Sequence, residues 1–245
     1  MLAIIGGSGF YNYAGLTVLE EISVKTRWGA PSAPVTRGHL GGRDVLFLSR
    51  HGREHTIPPH KINYRANIEA LTTLGAKAIV STTAVGGIRA KTGDIVVPDQ
   101  IIDYTYGREN TFFDSKQGPV NHIDFTEPFS PNLRKVILRA ADSRKMSIID
   151  GGTYGATQGP RLETAAEINR LNQDGCKIVG MTGMPEAALA RELDLEYATI
   201  SLVVNQAAGM GKGRITMEQI TTELDTGMNK IEKLIETSLT LLVSK

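Results

Sequence analysis

Short apolar runs alternate with longer stretches of helical periodicity along the 245-residue chain. The short runs are rich in β-branched residues and predict buried strands. These strands are Ala3–Ile5, Val45–Ser49, Ala78–Ser81, Ile95–Val97, Ile178–Met181 and Tyr197–Val204. Strands that alternate with helices predict an α/β fold built around a largely buried sheet.

The stretches between the strands carry the start and stop signals of helices. The predicted helices are Lys61–Leu74, Pro131–Lys145, Glu163–Gln173, Pro185–Leu193 and a last helix that runs to about Val243. Ser130 is the predicted N-cap of the second helix. Thr216 and Gln219 form a capping box at the start of the last one. Its apolar side chains share one face: Ile220, Leu224, Met228, Ile231, Leu234 and Ile235.

Composition and charge narrow the class of protein. A hydrophobic content of 41% with 22% charged residues is typical of a globular domain. The 27 basic and 26 acidic residues nearly cancel, so no basic field indicates nucleic acid or an anionic membrane. The single cysteine, Cys176, excludes an internal disulfide and a multi-cysteine metal site.

Localisation and domain organisation follow from the same survey. No apolar run approaches the roughly 20 residues that span a bilayer, and the Met1–Ile5 run is too short for a signal peptide. No internal repeat or linker divides the chain. We therefore expect a cytoplasmic protein with a single domain over residues 1–245.

Candidate chemistry begins directly after the first strand, at Gly6–Gly9. Glycines after a strand let backbone N–H groups converge on an anion, and the Ser8 hydroxyl adds a donor. The segment lacks the third glycine of a dinucleotide fingerprint and the Gly-Lys-Ser/Thr of a P-loop. A plain tight turn is an equal alternative.

The segment Arg50–His55 follows another predicted strand. Ligands of open α/β sheets bind at the carboxyl ends of the strands, where the Arg50 guanidinium offers a bidentate fork to a phosphate and His51 adds a polar group. A solvated charged loop is one alternative. A metal site built on His51, His55 and His60 is another, against which Pro58-Pro59 and the absence of HExxH spacing argue.

Three further strand ends carry polar or small residues. The Ser81–Gly87 segment permits a ligand to approach the backbone closely, or is a simple strand-to-turn transition. Thr182 precedes a helix N-terminus that suits an anion, and Glu186 is interpreted as a partner of that helix dipole. Asn205 is a recognition group or begins an Asx turn. Together these strand ends predict one site for a phosphate and a small polar ligand.

In these motifs the chain resembles the trimeric purine nucleoside phosphorylase and methylthioadenosine phosphorylase family. The resemblance covers nearly the whole chain, with IIGGSGF, LSRHGREHTIPPHKINYRANI, STTAVGG, TQGPRLET and VGMTGMPEAALARE in order. It implies a single-domain nucleoside phosphorylase fold with a central mixed β-sheet flanked by helices. It further implies a homotrimer in which phosphate attacks C1′ of a purine nucleoside and the free base is released. Phosphate is a co-substrate, and no metal or organic cofactor is implied.

The resemblance also implies residue roles. The phosphate pocket comprises Ser8, Arg50, His51, Thr83, Ala84 and Thr182. Glu163 and Asn205 correspond to the purine contacts and, with His51, to the catalytic residues; apart from the resemblance, Glu163 is interpreted as a first-turn helix acid. The ribose and 5′ lining comprises Met181, His55, Met217 and Ile220. His122 resembles a residue lent by the neighbouring subunit, with a surface loop histidine as the alternative.

Two pairs of residues indicate the substrate within this resemblance. Family members acting on 6-aminopurines carry aspartate and serine where this chain has Asn205 and Glu163. A carboxylate accepts from the N1–H of a 6-oxopurine, and an amide donates to its O6 or N7. Met217 stands where enzymes for ordinary nucleosides place a histidine, and Ile220 follows one turn later, so the 5′ pocket favours an apolar methylthio group. The combination predicts S-methyl-5′-thioinosine, with inosine or guanosine, methylthioadenosine, or binding without catalysis as alternatives.

Overall fold

A mixed sheet with helices on both faces organises the protein. The computed structural model describes residues 1–9, 15–114, 119–211 and 213–242, and within these residues the sheet has 11 strands. The strands are β1 (Leu2–Gly6), β2 (Leu16–Ile22), β3 (Val35–Leu40), β4 (Arg43–Ser49), β5 (Ala78–Gly87), β6 (Ile95–Val97), β7 (Gln100–Asp103), β8 (Ile149–Asp150), β9 (Thr153–Ala156), β10 (Cys176–Gly180) and β11 (Glu196–Gln206). The predicted α/β fold with a central mixed sheet is therefore confirmed.

Five α-helices accompany the sheet in the described ranges. They are α1 (Tyr64–Thr73), α2 (Pro131–Ser143), α3 (Ala165–Gln173), α4 (Gly183–Glu192) and α5 (Met217–Leu242). The predicted end of the last helix, Val243, lies outside the described residues. Among the helices described, none has the length and apolar content needed to cross a membrane.

All six predicted strands are present, but of these only β6 has the predicted bounds. β5 continues six residues beyond Ser81 to Gly87, and β10 ends at Gly180, so Met181 lies outside the strand. The sequence pattern missed β2, β3, β7, β8 and β9. β2 shows why. Its residues are almost all exposed, so they form no apolar pattern, and the strand is held by its pairing with β3 at the edge of the sheet.

Helix starts differ from the prediction where a cap intervenes. A separate 3₁₀ turn occupies Pro59–Lys61, and Asn63 then caps α1 by accepting the Ala66 N–H. α3 begins at Ala165 because Thr164 and Glu167 form a reciprocal capping box. Glu163 therefore precedes this helix, so its interpretation as a first-turn acid is wrong.

Ser130 does not cap α2 as predicted. It occupies the N-cap position, but its hydroxyl makes no capping hydrogen bond and instead accepts the Tyr197 N–H at 2.9 Å. The hydroxyl is thus used to tie the start of α2 to β11. At α5 the Thr216 hydroxyl accepts the Gln219 N–H at 3.3 Å, which is one of the two hydrogen bonds of the predicted capping box.

The sheet leaves a gap beside the middle of β5. β1 pairs with β5 in parallel as far as Ser81, whereas β10 pairs with the same strand in antiparallel fashion only from Gly86. On the other side β11 accompanies β5 along its whole length. Residues 82–85 therefore face a space where β1 and β4 end and β10 returns. The backbone groups of residues 82–85 that have no strand partner on this side need other hydrogen-bond partners, which groups in the gap can supply.

Helices cover the two faces of the sheet and hold the gap in place. α1 and α4 pack together on one face, and α2 and α5 on the other. The predicted apolar face of α5 is buried at Leu224, Met228, Ile231, Leu234 and Ile235, while Ile220 stays partly exposed toward the gap. The strands that border the gap and the helices beside it thus all pack into the hydrophobic core.

Candidate active site

A cavity of about 650 Å³ occupies this gap at the carboxyl ends of β1, β4 and β5. The cavity wall contains all but one of the predicted site residues: Ser8, Arg50, His51, His55, Thr83, Ala84, Glu163, Met181, Thr182, Asn205, Met217 and Ile220. These residues come from segments spread over most of the sequence, and the ends of the strands bring them together. A neighbouring cavity of about 780 Å³ shares Glu163 and Asn205 as its border with the first.

Arg50 is fully buried at one end of the cavity and is engaged by protein groups. Its Nε and Nη2 donate to the two carboxylate oxygens of Glu186 at 2.7 and 2.8 Å, Nη2 donates to the Ser81 hydroxyl at 2.7 Å, and Nη1 donates to the Thr82 carbonyl at 3.0 Å. These bonds leave one of the five guanidinium N–H groups, on Nη1. Burial alone lowers the pKa of Arg50, but the Glu186 carboxylate raises it above its ordinary value. The predicted bidentate fork toward phosphate is therefore wrong, because Glu186 occupies it.

Glu186 is correspondingly more than a partner for the helix dipole. It is fully buried in the first turn of α4, and one carboxylate oxygen also accepts the Tyr197 hydroxyl at 2.8 Å. The sequence could not reveal this ion pair, since 136 residues separate Arg50 from Glu186. A buried charge that loses its partner costs about 3–5 kcal/mol, so each of the two residues requires the other.

His51 is a neutral imidazole with a defined tautomer. Its Nδ1 lies 2.9 Å from the Ile57 carbonyl, which can only accept, so Nδ1 carries the proton and Nε2 is an acceptor. Burial, followed by repulsion from Arg50, lowers the pKa of His51 to about 4. Its ring stacks against His55 at a centroid distance of 4.6 Å. Near neutral pH His51 therefore contributes no positive charge, and its Nε2 can accept a hydrogen bond from a ligand.

Hydroxyls and backbone groups surround this end of the cavity. Thr83 is buried, and its hydroxyl lies 2.8 Å from the Ser201 hydroxyl on β11. Gly7 allows the β1 loop to approach closely, because a Cβ there would lie 2.5 Å from the Thr82 carbonyl oxygen. Thr182 lies directly before α4, whose first turn is kinked at Met184 (φ −118°, ψ 141°), and its side chain makes no capping bond. Neutral donors and a helix N-terminus suit a phosphate at this position.

Glu163 and Asn205 line the cavity where it borders the neighbouring one. The Thr157 hydroxyl donates to Glu163 Oε1 at 2.6 Å. The Asn205 Nδ2 donates to the Gln206 carbonyl at 2.8 Å, which is the reverse of the polarity of an Asx turn, where the side-chain oxygen accepts. Asn205 also follows a register irregularity between β11 and β5. This part of the cavity thus presents a carboxylate and an amide to one ligand.

Arg108 is a functional candidate that the sequence did not reveal. Its guanidinium donates to the Met181 and Met184 carbonyls at 2.7 Å, to the Gln158 carbonyl at 2.8 Å and to the Thr157 carbonyl at 3.2 Å. It therefore joins the loop before Glu163 to the loop that follows β10. Carbonyl acceptors leave no trace in the identity of the residues that bear them, so no sequence pattern indicates this role.

The side chains that are predicted to contact the ribose and its 5′ substituent line the same cavity. A Cβ at Gly159, where φ is +60°, would lie 2.4 Å from the Met181 sulfur, so only glycine lets the two loops meet at this distance. Ile220 lines the cavity from α5 and is half-buried. Met217 also lines the cavity, but 71% of its surface is exposed. It is therefore an apolar side chain at the rim and not a core residue.

His122 lies outside the cavity of its own chain. It is exposed in the segment before α2. This position is compatible with the surface-histidine alternative and leaves the side chain accessible to another subunit. Among the described residues, no group of three or more His, Cys, Asp or Glu side chains is arranged to hold a metal ion.

Comparison with known proteins identifies the family of this fold and site. The sequence matches the Phosphorylase superfamily over residues 1–240, and the chain belongs to that family. It is 51% identical over 232 residues, 94% of each chain, to a Pseudomonas syringae pv. tomato protein named "Probable S-methyl-5'-thioinosine phosphorylase". It is 45% identical to the 6-oxopurine nucleoside phosphorylase of Pyrococcus furiosus, with 98% of this chain and 92% of the relative covered.

A solved structure supports the same placement. The methylthioadenosine phosphorylase of Schistosoma mansoni in complex with adenine superposes with a TM-score of 0.95 at 31% identity. The alignment covers 100% of this chain and 92% of that one. The resemblance inferred from the motifs is therefore confirmed.

Proposed function

We propose that the protein catalyses the phosphorolysis of S-methyl-5′-thioinosine. A phosphate oxygen forms a bond to C1′ as the bond from C1′ to N9 of the base breaks, and the base leaves with the bonding electrons and takes up a proton. The products are hypoxanthine and S-methyl-5-thio-ribose 1-phosphate. Inorganic phosphate is the second substrate, and no metal or organic cofactor takes part.

One observation carries this proposal: the groups around Arg50, which suit an anion, and the Glu163 carboxylate and Asn205 amide line a single cavity. Glu163 accepts the N1–H that hypoxanthine has and adenine lacks, and Asn205 donates to O6 or N7. The names of relatives about 50% identical to the chain agree with this assignment.

Phosphate acts both as nucleophile and as a stabilising charge. The residual Arg50 N–H, the Ser8 and Thr83 hydroxyls and the α4 N-terminus hold it at the strand ends, and His51 Nε2 accepts a hydrogen bond from its remaining O–H. A dianion beside C1′ stabilises the oxocarbenium character of the transition state. Binding both substrates in one cavity removes up to about 7–11 kcal/mol of entropic barrier in favourable cases.

Departure of the base is assisted by Asn205. Negative charge grows on N7 and O6 as the bond to C1′ breaks, and the Asn205 amide donates to this developing charge. Of its two amide hydrogens, one bonds the Gln206 carbonyl, which orients the other toward the cavity.

The sugar end selects the 5′ substituent. Met217 and Ile220 offer an apolar surface, and a methylthio group buried there gains about 1.5–3 kcal/mol over an exposed one. Met217 is 71% exposed in the single chain, and the proposal includes a neighbouring subunit that completes this enclosure. We therefore include a homotrimer, in which His122 reaches the adjacent site, and a cytoplasmic location in the proposal.

The test is phosphate-dependent base release from methylthioinosine, methylthioadenosine, inosine and guanosine, compared by kcat/KM. The proposal predicts the highest value for methylthioinosine. Higher turnover of methylthioadenosine would overturn the roles of Glu163 and Asn205. A preference for inosine would overturn the role of Met217, and no turnover of any substrate would indicate a binding protein.

A further inference from the structure

The loop that carries Glu163 also contains Thr157, whose hydroxyl contacts the Glu163 carboxylate. The Thr157 hydroxyl lies 2.6 Å from Glu163 Oε1 and 3.3 Å from the Gly180 carbonyl oxygen. A hydroxyl has one proton, and the shorter, charge-assisted bond to the carboxylate takes it. In the part of the chain that the structure describes, the hydrogen bond to the Glu163 side chain comes from the Thr157 hydroxyl.

The backbone at Thr157 is held independently of this hydroxyl. The Thr157 N–H donates to the Gly180 carbonyl at 2.8 Å, which extends the pairing of β9 with β10. The Thr157 and Gln158 carbonyls accept from the Arg108 guanidinium at 3.2 and 2.8 Å. Removal of the hydroxyl alone therefore leaves the loop in place.

Glu163 has no comparable anchor of its own. It lies between the loop and α3, is only half-buried, and precedes the Thr164 N-cap, so no helical turn restrains its side chain. The first turn of α3 is closed by Glu167, which bonds Thr164 and Arg161. A carboxylate with several accessible rotamers loses conformational entropy when it binds a base, unless a neighbour fixes it beforehand.

We propose that Thr157 is a positioning residue for base recognition: its hydroxyl fixes Glu163 Oε1 and so aims Oε2 at the N1–H of a 6-oxopurine. This inference rests on the proposed function of Glu163. Thr157 does not touch the substrate in this assignment and acts only through the carboxylate. Threonine at this position thereby contributes to discrimination between 6-oxo and 6-amino bases.

The variant Thr157→Val removes the hydroxyl and keeps the branched shape, and Thr157→Ser restores the hydroxyl. For methylthioinosine we expect kcat/KM of Thr157→Val to fall about tenfold or more, mainly through a higher KM, as for a lost bond to a charged group. Thr157→Ser should stay within about threefold of the wild type. Unchanged thermal unfolding of both variants shows that the fold is intact.

A double-mutant cycle separates positioning from a general packing role. In the Glu163→Ala background, the acceptor is gone, and Thr157→Val should change kcat/KM by less than about twofold. An equal loss in both backgrounds would overturn the inference, as would a Thr157→Val enzyme with wild-type KM. The proposed function is tested separately, since wild-type protein that ignores methylthioinosine would refute it before any variant is compared.

Discussion

At the scale of single residues, the site depends on pairs rather than on isolated groups. Arg50 is neutralised by Glu186, and Glu163 is oriented by Thr157. The anion-binding end is therefore less cationic than a list of its residues indicates. In the proposed function, phosphate is therefore selected by the geometry of N–H and O–H donors, with one Arg50 N–H among them.

The base-reading pair leads to a prediction about substrate choice. The double variant Glu163→Ser with Asn205→Asp should lower kcat/KM for methylthioinosine at least about 30-fold, because each mismatched buried polar group costs about 1–3 kcal/mol. Methylthioadenosine should become the better substrate. Base release from both nucleosides, measured for the double variant and each single variant, checks this. Retention of the 6-oxopurine preference would contradict it.

The neutral state of His51 leads to a prediction about stability and pH. Its folded pKa of about 4 lies below the unfolded value of about 6.5, so the unfolded chain takes up the proton first as pH falls. The free energy of unfolding should therefore drop by about 2 kcal/mol between pH 7 and pH 5 from this group. Denaturant unfolding of His51→Gln should lack that part of the slope.

If His51→Gln and the wild type lose stability in parallel over this range, the neutral assignment of His51 is refuted.

Individual residues also show how much of the candidate site could be predicted from the sequence. Residues at strand ends were predictable, because parallel strands deliver their carboxyl ends to one edge. Glu186 was misassigned since its partner lies 136 residues away. Thr157 stands within the quoted TQGPRLET motif, where a hydroxyl six residues before an acid was an available signal. Arg108 had none, because it binds backbone carbonyls.

At the scale of elements, long strands and capped helices were predictable and edge strands were not. β1, β4, β6 and β11 form apolar runs that periodicity finds directly. β2 is nearly all exposed and β8 has two residues, so neither carries a hydrophobic pattern. The extension of β5 into Thr82–Gly87 was missed because glycines and hydroxyls suggest a turn, whereas β11 pairs with them throughout.

The start of α5 leads to a prediction about the 5′ substituent. Met217 is the first residue of the helix and is 71% exposed, so a change there leaves packing intact. Met217→His replaces an apolar group with a donor for a 5′-hydroxyl. We expect KM for methylthioinosine to rise about five- to tenfold and KM for inosine to fall. Steady-state kinetics on both substrates checks this, with Met217→Leu as the apolar control. Equal KM changes for both substrates would show that the α5 start does not read the 5′ group.

At the scale of the whole molecule, the chain alone leaves its site partly open. His122 lies outside its own cavity, and Met217 at the rim is exposed. Both features are explained when another copy covers the cavity. The fold itself and the family followed from the order of motifs, but no pattern within one chain reveals a contact between copies.

Subunit complementation tests this arrangement. One parent carries His122→Ala with an intact cavity, and the other carries His122 with Glu163→Ala and Asn205→Ala. Mixed assemblies should exceed the summed activity of the parents, because an intact cavity then receives His122 from its neighbour. Light scattering should give three times the chain mass. Activity equal to the sum, or wild-type activity in His122→Ala alone, would contradict the shared site.

The central claim is that Glu163 and Asn205 read a 6-oxopurine while phosphate occupies the strand ends. A crystal structure with hypoxanthine and sulfate tests it most directly. The account predicts Glu163 Oε2 within about 3 Å of N1, the Asn205 amide at a similar distance from O6 or N7, and sulfate beside Ser8, Thr83 and Thr182. A base bound with both side chains turned away from it, or sulfate held elsewhere, would contradict the account.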